Sequence, residues 1–236
     1  MSASPSSPPT STDRGAALTR RAADGAVLLT DGRRGAGWSG ISLQELHRSL
    51  ALENPDAAKH LLYRVGFEWG LQDFLQLSLR VREERGRQPG EDLWKLDTAT
   101  AFERWSTPLT AAGWGQWKFD RSAHASGVTL VELHRSTVAS APSLPPVPSD
   151  PVCHLYAGLF AGALSFFDRT ELHAVETECA ALGQPCCRFL VAPGPIVDRA
   201  ETARRGGANH EAIVRATVAP APAPAPTKAG KIPWKK

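Results

Sequence analysis

All four cysteines of the chain, Cys153, Cys179, Cys186 and Cys187, fall in one short segment, and that clustering limits what the surrounding elements can do. The segment opens with VCHLYAGLFAGALSFFDR, which reads as a helix with Cys153 at its start, where free amides and the helix dipole favour a thiolate. Two strands follow, Glu171 to Glu178 and Cys186 to Val191, on either side of an Ala-Leu-Gly-Gln-Pro turn region. Cys179 comes just after the first strand, and Cys186 and Cys187 open the second. A helix start and two hairpin ends can converge on one point, where soft thiolates suit zinc. Strand alternation puts Glu176 and Glu178 on one face, so both are candidate carboxylate ligands, with His154 and His173 nearby. The same alternation sends Cys186 and Cys187 to opposite faces, so only one of them is expected to bind. Spacing alone leaves buried reduced cysteines or an inter-strand disulfide as alternatives, because no paired C-x-x-C is present.

The rest of the chain supplies one ordinary core. The N-terminal stretch SASPSSPPTSTDRGAA and the C-terminal ATVAPAPAPAPTKAGKIPWKK offer few large apolar residues to offset the entropy of ordering them. Residues 1–24 are therefore expected as a disordered arm, 25–217 as a single domain, and 218–236 as an alanine-proline linker with a basic tip. The central part has about 190 residues, the size of one domain. The net charge is only +3, with much of the basic excess in the two ends and no basic stripe in the body, which argues against nucleic acid as a partner. No secretory signal precedes the body, and no apolar run is long enough for a membrane span. A cytoplasmic location is expected, where cysteines serve as ligands more often than as disulfides.

Gly25 to Thr30 reads as a short strand and Leu43 to Leu52 as a short helix. A long helix starts near Asn54 with Pro55 in its first turn. Leu61, Val65, Leu71, Phe74, Leu75 and Leu79 recur along it at helical spacing, the expected core face. Gly66 and Gly70, four apart, suit close approach of a neighbouring backbone or a ligand, and Gly158 and Gly162 repeat the spacing in the cysteine-led helix. A further helix is expected from Glu91 to Ala112, which Pro108 could kink or end early. Trp114 to Phe119 and Val128 to Leu133 read as antiparallel strands, Ser140 to Pro151 as a proline-rich connection, and Ile196 to Thr217 as a last helix weakened by Gly206 and Gly207. Helices mixed with antiparallel strands and no repeated βαβ unit make the class α+β.

The segment ETECAALGQPCCRFLV resembles the signature of the 4-vinyl reductase domain family, which reads E-x-x-C, a glycine four residues on, then C-x-F. Glu176, Cys179, Gly183, Cys187 and Phe189 fill those places in register. In the related sensor domains of phenol- and xylene-responsive activators, a zinc is held by a cysteine of the preceding helix together with Glu, Cys and Cys. The resemblance thus implies Cys153, Glu176, Cys179 and Cys187 as ligands, with Cys186 a spare thiol and Glu178 a spare carboxylate. It is closest from Val131 to Val191; upstream, LLYRVGFEWG and the Gly-Trp-Gly at 113–115 are family-like. It also implies a fold shared with TRAPP-type subunits and haem NO sensors, in which helices pack on an antiparallel sheet around an apolar pocket, and dimerisation through helices.

Three thiolates and a carboxylate leave no open position, so the zinc is expected to be structural. Function is then expected in a pocket for a small apolar or aromatic molecule, with Trp114, Trp117, Trp105 and Phe67 as candidate ligand contacts. The phenol-reading residues of the sensor relatives have no assigned counterparts here, so phenol specificity is not carried over. The leading expectation is a stand-alone sensor or carrier that forms a homodimer and contacts a protein partner through residues 218–236. An accessory factor or reductase of tetrapyrrole metabolism and a scaffold subunit are the alternatives. The expectation leans against an enzyme: no G-x-G-x-x-G follows a strand, and DGRRGAG lacks the βαβ context that would make it a nucleotide loop.

Overall fold

The computed structural model describes residues 40–84, 93–139 and 148–218 in full, together with the backbone of three short strands before them. Those strands, β1 (Thr19–Arg21), β2 (Val27–Leu29) and β3 (Arg34–Gly35), form a small antiparallel sheet. β2 falls in the expected strand, and β1 falls within the stretch expected as an arm. Residues 1–18, 140–147 and 219–236 lie outside the described residues, and with them most of the expected arm, much of the proline-rich connection and the C-terminal linker.

Two helices make the centre of the molecule, α2 (Pro55–Glu84) and α4 (His154–Asp168). They cross on their glycines. A Cβ at Gly66 would overlap the Leu155 carbonyl, and one at Gly70 the Leu159 carbonyl; in return, Gly158 meets the Tyr63 carbonyl and Gly162 the Phe67 carbonyl. Four positions without side chains thus let two backbones touch, a distance that even alanine would prevent.

This contact decides which face of α2 is inside. The buried stripe is Ala58, Leu62, Gly66, Gly70, Asp73, Phe74, Leu77 and Val81. Of the leucine-rich face expected from periodicity, Phe74 alone is fully buried, whereas Leu61, Val65 and Leu79 are 49%, 52% and 44% exposed. The expectation failed because hydrophobic periodicity weighs large side chains, while α4 selects the face with the smallest ones.

The main sheet is antiparallel in the order β4-β5-β7-β6, with β4 at Gln116–Asp120, β5 at Thr129–His134, β6 at His173–Glu178 and β7 at Cys187–Ala192. β4 begins later than expected because Gly113 and Gly115 both have positive φ, so Trp114 lies in a turn rather than on a strand. Alternation along the strands divides the interior in two. Phe189, Val191, Val131 and Leu133 face the helical side, and Leu190, Ala192 and Val175 face the opposite side.

The helical side carries α4 on the sheet, α2 on α4, and two flanking helices, α1 (Gly40–Glu53) and α3 (Thr98–Ala111). Asp97 caps α3 by accepting a hydrogen bond from the Thr100 amide at 2.9 Å, and Pro108 is carried in its last turns. The other face is covered by α5 (Gly194–Arg205) and α6 (His210–Val218). These replace the single last helix expected from Ile196 to Thr217. Gly207 adopts a left-handed φ of 82°, which ends α5 and turns the chain back onto the sheet. The α+β architecture, six helices on a four-stranded antiparallel sheet among the described residues, is as expected.

Gly158→Ala should lower stability by about 1–3 kcal/mol, the usual cost of forcing atoms into a filled interior. The measurement is a shift of the denaturant midpoint, with Gly40→Ala, whose Cβ would make an ordinary 3.5 Å contact with Thr137, as the near-neutral control.

Candidate metal centre

α4 starts at the edge of the sheet where β6 turns into β7. Cys153 is the residue before its first turn. Glu176 is on β6, Cys179 ends that strand's extension, and Cys187 opens β7. Between them a single turn of 3-10 helix, Ala180–Leu182, closes on Gly183, whose φ is 86°. A Cβ at Gly183 would meet nothing, so glycine is required there for its backbone conformation and not for space.

Ligand atoms of Cys153, Glu176, Cys179 and Cys187 all lie within 4.8 Å of one another, and all four residues are buried. The Cys153 and Cys187 sulfurs are 3.6 Å apart. A tetrahedral ion with metal–sulfur bonds of about 2.3 Å spaces its sulfurs about 3.8 Å apart, so the set is near the size a metal needs. Backbone groups hold the donors in place. The Cys153 amide donates to Glu176 Oε2 at 2.8 Å, and the Ala180 amide donates to Cys187 Sγ at 3.3 Å. Ser136 Oγ lies 3.4 Å from Cys153 Sγ.

The electrostatics ask for a cation. Burial pushes the Cys153 thiol and the Glu176 carboxyl well up, and the neighbouring acids reinforce both shifts. Cys179 is pushed down to about 2 by hydrogen bonds from the Cys153 and then the Cys187 thiol. With protein groups alone, the cluster therefore keeps protons where it would otherwise carry four negative charges. Glu176 Oε1 is also buried with no hydrogen-bond partner among the described residues, a costly state for a carboxylate oxygen. A metal ion among the four would replace the protons and occupy that oxygen. The buried Cys3Glu group is placed to bind one.

Two choices that the sequence left open are made by the pairing of β6. The register slips between Glu176 and Glu178, so Glu176 faces Phe189 while Glu178 pairs with Arg188. The bulge turns Glu178 to the far side of the sheet, where it binds the Arg188 guanidinium at 3.2 Å. Thr177 is buried there and hydrogen-bonds the Arg188 carbonyl and His210 Nδ1. Cys186 precedes β7, is buried and stands apart from the four-residue group. His154 and His173 are likewise outside it.

The four aromatic residues picked as ligand contacts separate. Trp105 is interior, edge-on to Phe74 at 4.7 Å and to Trp117 at 4.9 Å, with its Nε1 donating to Asp73 at 3.4 Å. Trp114 packs edge-on against Trp69 at 4.6 Å, and its carbonyl accepts from the Tyr156 hydroxyl at 2.8 Å. Phe67 is half-buried against the same core. Trp117 lines a cavity of about 430 Å³ between α3 and β4, together with Phe102, Phe119, Glu103 and Arg121. Arg121 escaped the sequence reading because nothing local distinguishes it; its role comes from Asp168, 2.8 Å away and distant in sequence.

Residues 137–193 match the family model of the 4-vinyl reductase domain, which bears out the resemblance over that segment. Among solved structures, the phenol-responsive sensory domain of the transcription activator PoxR with phenol is 20% identical, with a TM-score of 0.58, over 90% of this chain and 100% of that one. A vinyl-4-reductase family protein from Methanocaldococcus jannaschii is 17% identical over 55% of this chain and 66% of that one, with a TM-score of 0.36. A trafficking protein particle complex subunit 3 from Naegleria fowleri, covalently bound to palmitic acid, is 14% identical over 65% and 93%, with a TM-score of 0.45. The first of these shows the fold. No curated protein sequence matches the chain.

Replacing Glu176 with Gln keeps the acceptor for the Cys153 amide but weakens the charge that offsets a cation. The variant should retain its far-UV spectrum while losing metal at least tenfold more readily to a chelator, measured by competition with a chromogenic metal indicator.

Proposed function

We propose that this chain is a zinc-clamped small-molecule-binding domain, a sensor or carrier that works as a homodimer. The observation that carries the reading is the closed, buried Cys3Glu group tying the start of α4 to the β6–β7 turn. Three sulfurs and one oxygen suit zinc, and a fully ligated site is structural rather than catalytic. The zinc would be held by Cys153, Glu176, Cys179 and Cys187, within a domain spanning residues 25–217. The likeness in fold to a phenol-responsive sensory domain supports a sensing role.

The cavity beside α3 is the favoured ligand site. Phe102 and Phe119 stack there at 4.5 Å, with Trp117 beside them, a wall suited to a small aromatic ring. Arg121 is fixed by its pair with Asp168, yet its Nη1 is buried without a partner among the described residues. A ring carrying one oxygen would satisfy that donor. Trp105, Trp114 and Phe67 support this wall from behind.

The exposed face of α2 supports the dimer. Leu61, Val65, Glu68, Gln72, Leu75 and Leu79 alternate at spacings of four and three, the pattern of a helix–helix seam. An antiparallel copy centred on Gly70 sets Leu61 against Leu79, Val65 against Leu75, and Glu68 against Gln72. The seam is therefore complementary to itself, as a two-fold contact requires.

Metal analysis of the purified chain should give one zinc per chain, and Cys179→Ser or a chelator should lower the melting temperature sharply; absence of zinc would sink the clamp. Titration calorimetry should show phenol binding that weakens about tenfold in Arg121→Met, the scale of one lost hydrogen bond. Leu75→Lys with Leu79→Lys should convert a dimer to a monomer in light scattering, and a wild-type chain already monomeric would remove the seam.

A further inference from the structure

A second cavity, of about 690 Å³, lies on the other flank of α2, between α1, the start of α2 and the segment leading into α4. It is within the size range of small-molecule sites and shares no lining residue with the aromatic cavity. Its wall is aliphatic: Ile41, Leu52, Leu62, Val138 and Val152 supply large side chains, and among the described residues its only rings besides proline are the imidazoles of His47 and His154. Ile41 and Leu52 are 74% and 63% exposed, although both end in this concave surface.

His47 is the polar anchor. It is 9% exposed, and its Nε2 is buried with no hydrogen-bond partner among the described residues. Such a group in an aliphatic wall is costly unless something pairs with it. Burial, then the nearby His154 imidazole, lowers the His47 pKa to about 4, so the ring is neutral at physiological pH. The cations at the rim are already matched: Lys59 lies 3.6 Å from Asp150, and Arg48 lies 2.7 Å from Glu45. No free positive charge among these groups is left for an anion.

We infer that this cavity binds a neutral aliphatic alcohol, its hydroxyl on His47 Nε2 and its hydrocarbon body against Leu62, Val138 and Val152. A hydroxyl fits because it can donate to or accept from either tautomer of a neutral imidazole. An aliphatic body fits because the wall offers branched side chains instead of the flat rings that line the aromatic cavity. The site also borders the metal centre, since Val152 and His154 flank Cys153 and Ala181 lies two residues beyond Cys179. An occupant would press on the segment that carries the first metal ligand.

The test uses the full chain with its metal and 1-octanol as the probe, followed by titration calorimetry. Octanol should bind at one site per chain, about tenfold more weakly in His47→Leu, the loss expected for one hydrogen bond. Ala51→Trp, at an exposed position on the cavity lip, should abolish binding and decides the matter if His47→Leu does not fold. Arg121→Met should leave octanol binding unchanged. Failure of octanol to bind, unaltered affinity in both His47→Leu and Ala51→Trp, or displacement of octanol by phenol would each overturn the site. Absence of phenol binding with octanol retained would count against the aromatic cavity alone.

Discussion

The structure depends on the crossing of α2 and α4 at Gly66, Gly70, Gly158 and Gly162. Because each Cβ would collide with a carbonyl of the opposite helix, the two axes can approach only with glycine at all four places. That approach drives α4 against the sheet, buries its aromatic residues on Phe189, and delivers its first residue, Cys153, to the edge where β6 turns into β7. The metal centre is thus a consequence of helix packing as much as of the cysteines themselves. The dependence runs both ways, since a cation held by Cys153, Glu176, Cys179 and Cys187 would lock the helix start onto the hairpin.

The same crossing sorts the surfaces of α2. One flank, near α3, faces an aromatic wall closed by Arg121 and Asp168. The other, near α1, faces an aliphatic wall with His47 in it. The outward face keeps its leucines exposed. Burying the small residues leaves the large apolar ones for recognition, which reverses the usual assignment of leucine to core.

Much of the candidate site was legible beforehand, for a local reason. The cysteine cluster, its helix start and its hairpin lie within one short stretch of chain, so element type and spacing carry most of the geometry. The register of the 4-vinyl reductase signature then selected Glu176 and Cys187, and the geometry agrees with it. Local pattern alone could not make those selections: strand alternation treats Glu176 and Glu178 alike, and the bulge that separates them comes from pairing with β7. Arg121 and His47 were missed because their partners, or lack of partners, arise from residues far along the chain. Trp105 was overvalued because an aromatic residue has the same sequence signature in a core as in a pocket.

What the sequence determined by itself was the α+β order of elements, the grouping of thiols at one helix start and one hairpin, and the glycine pairs on two helices. These are properties of neighbouring residues, governed by periodicity, turn chemistry and backbone freedom. Only the tertiary structure decided which face of α2 is buried, which carboxylate joins the thiols, where the last helix breaks into α5 and α6, and which aromatic residues border a cavity. Each of those depends on close packing between elements distant in sequence, where one Cβ or one strand register excludes the alternatives.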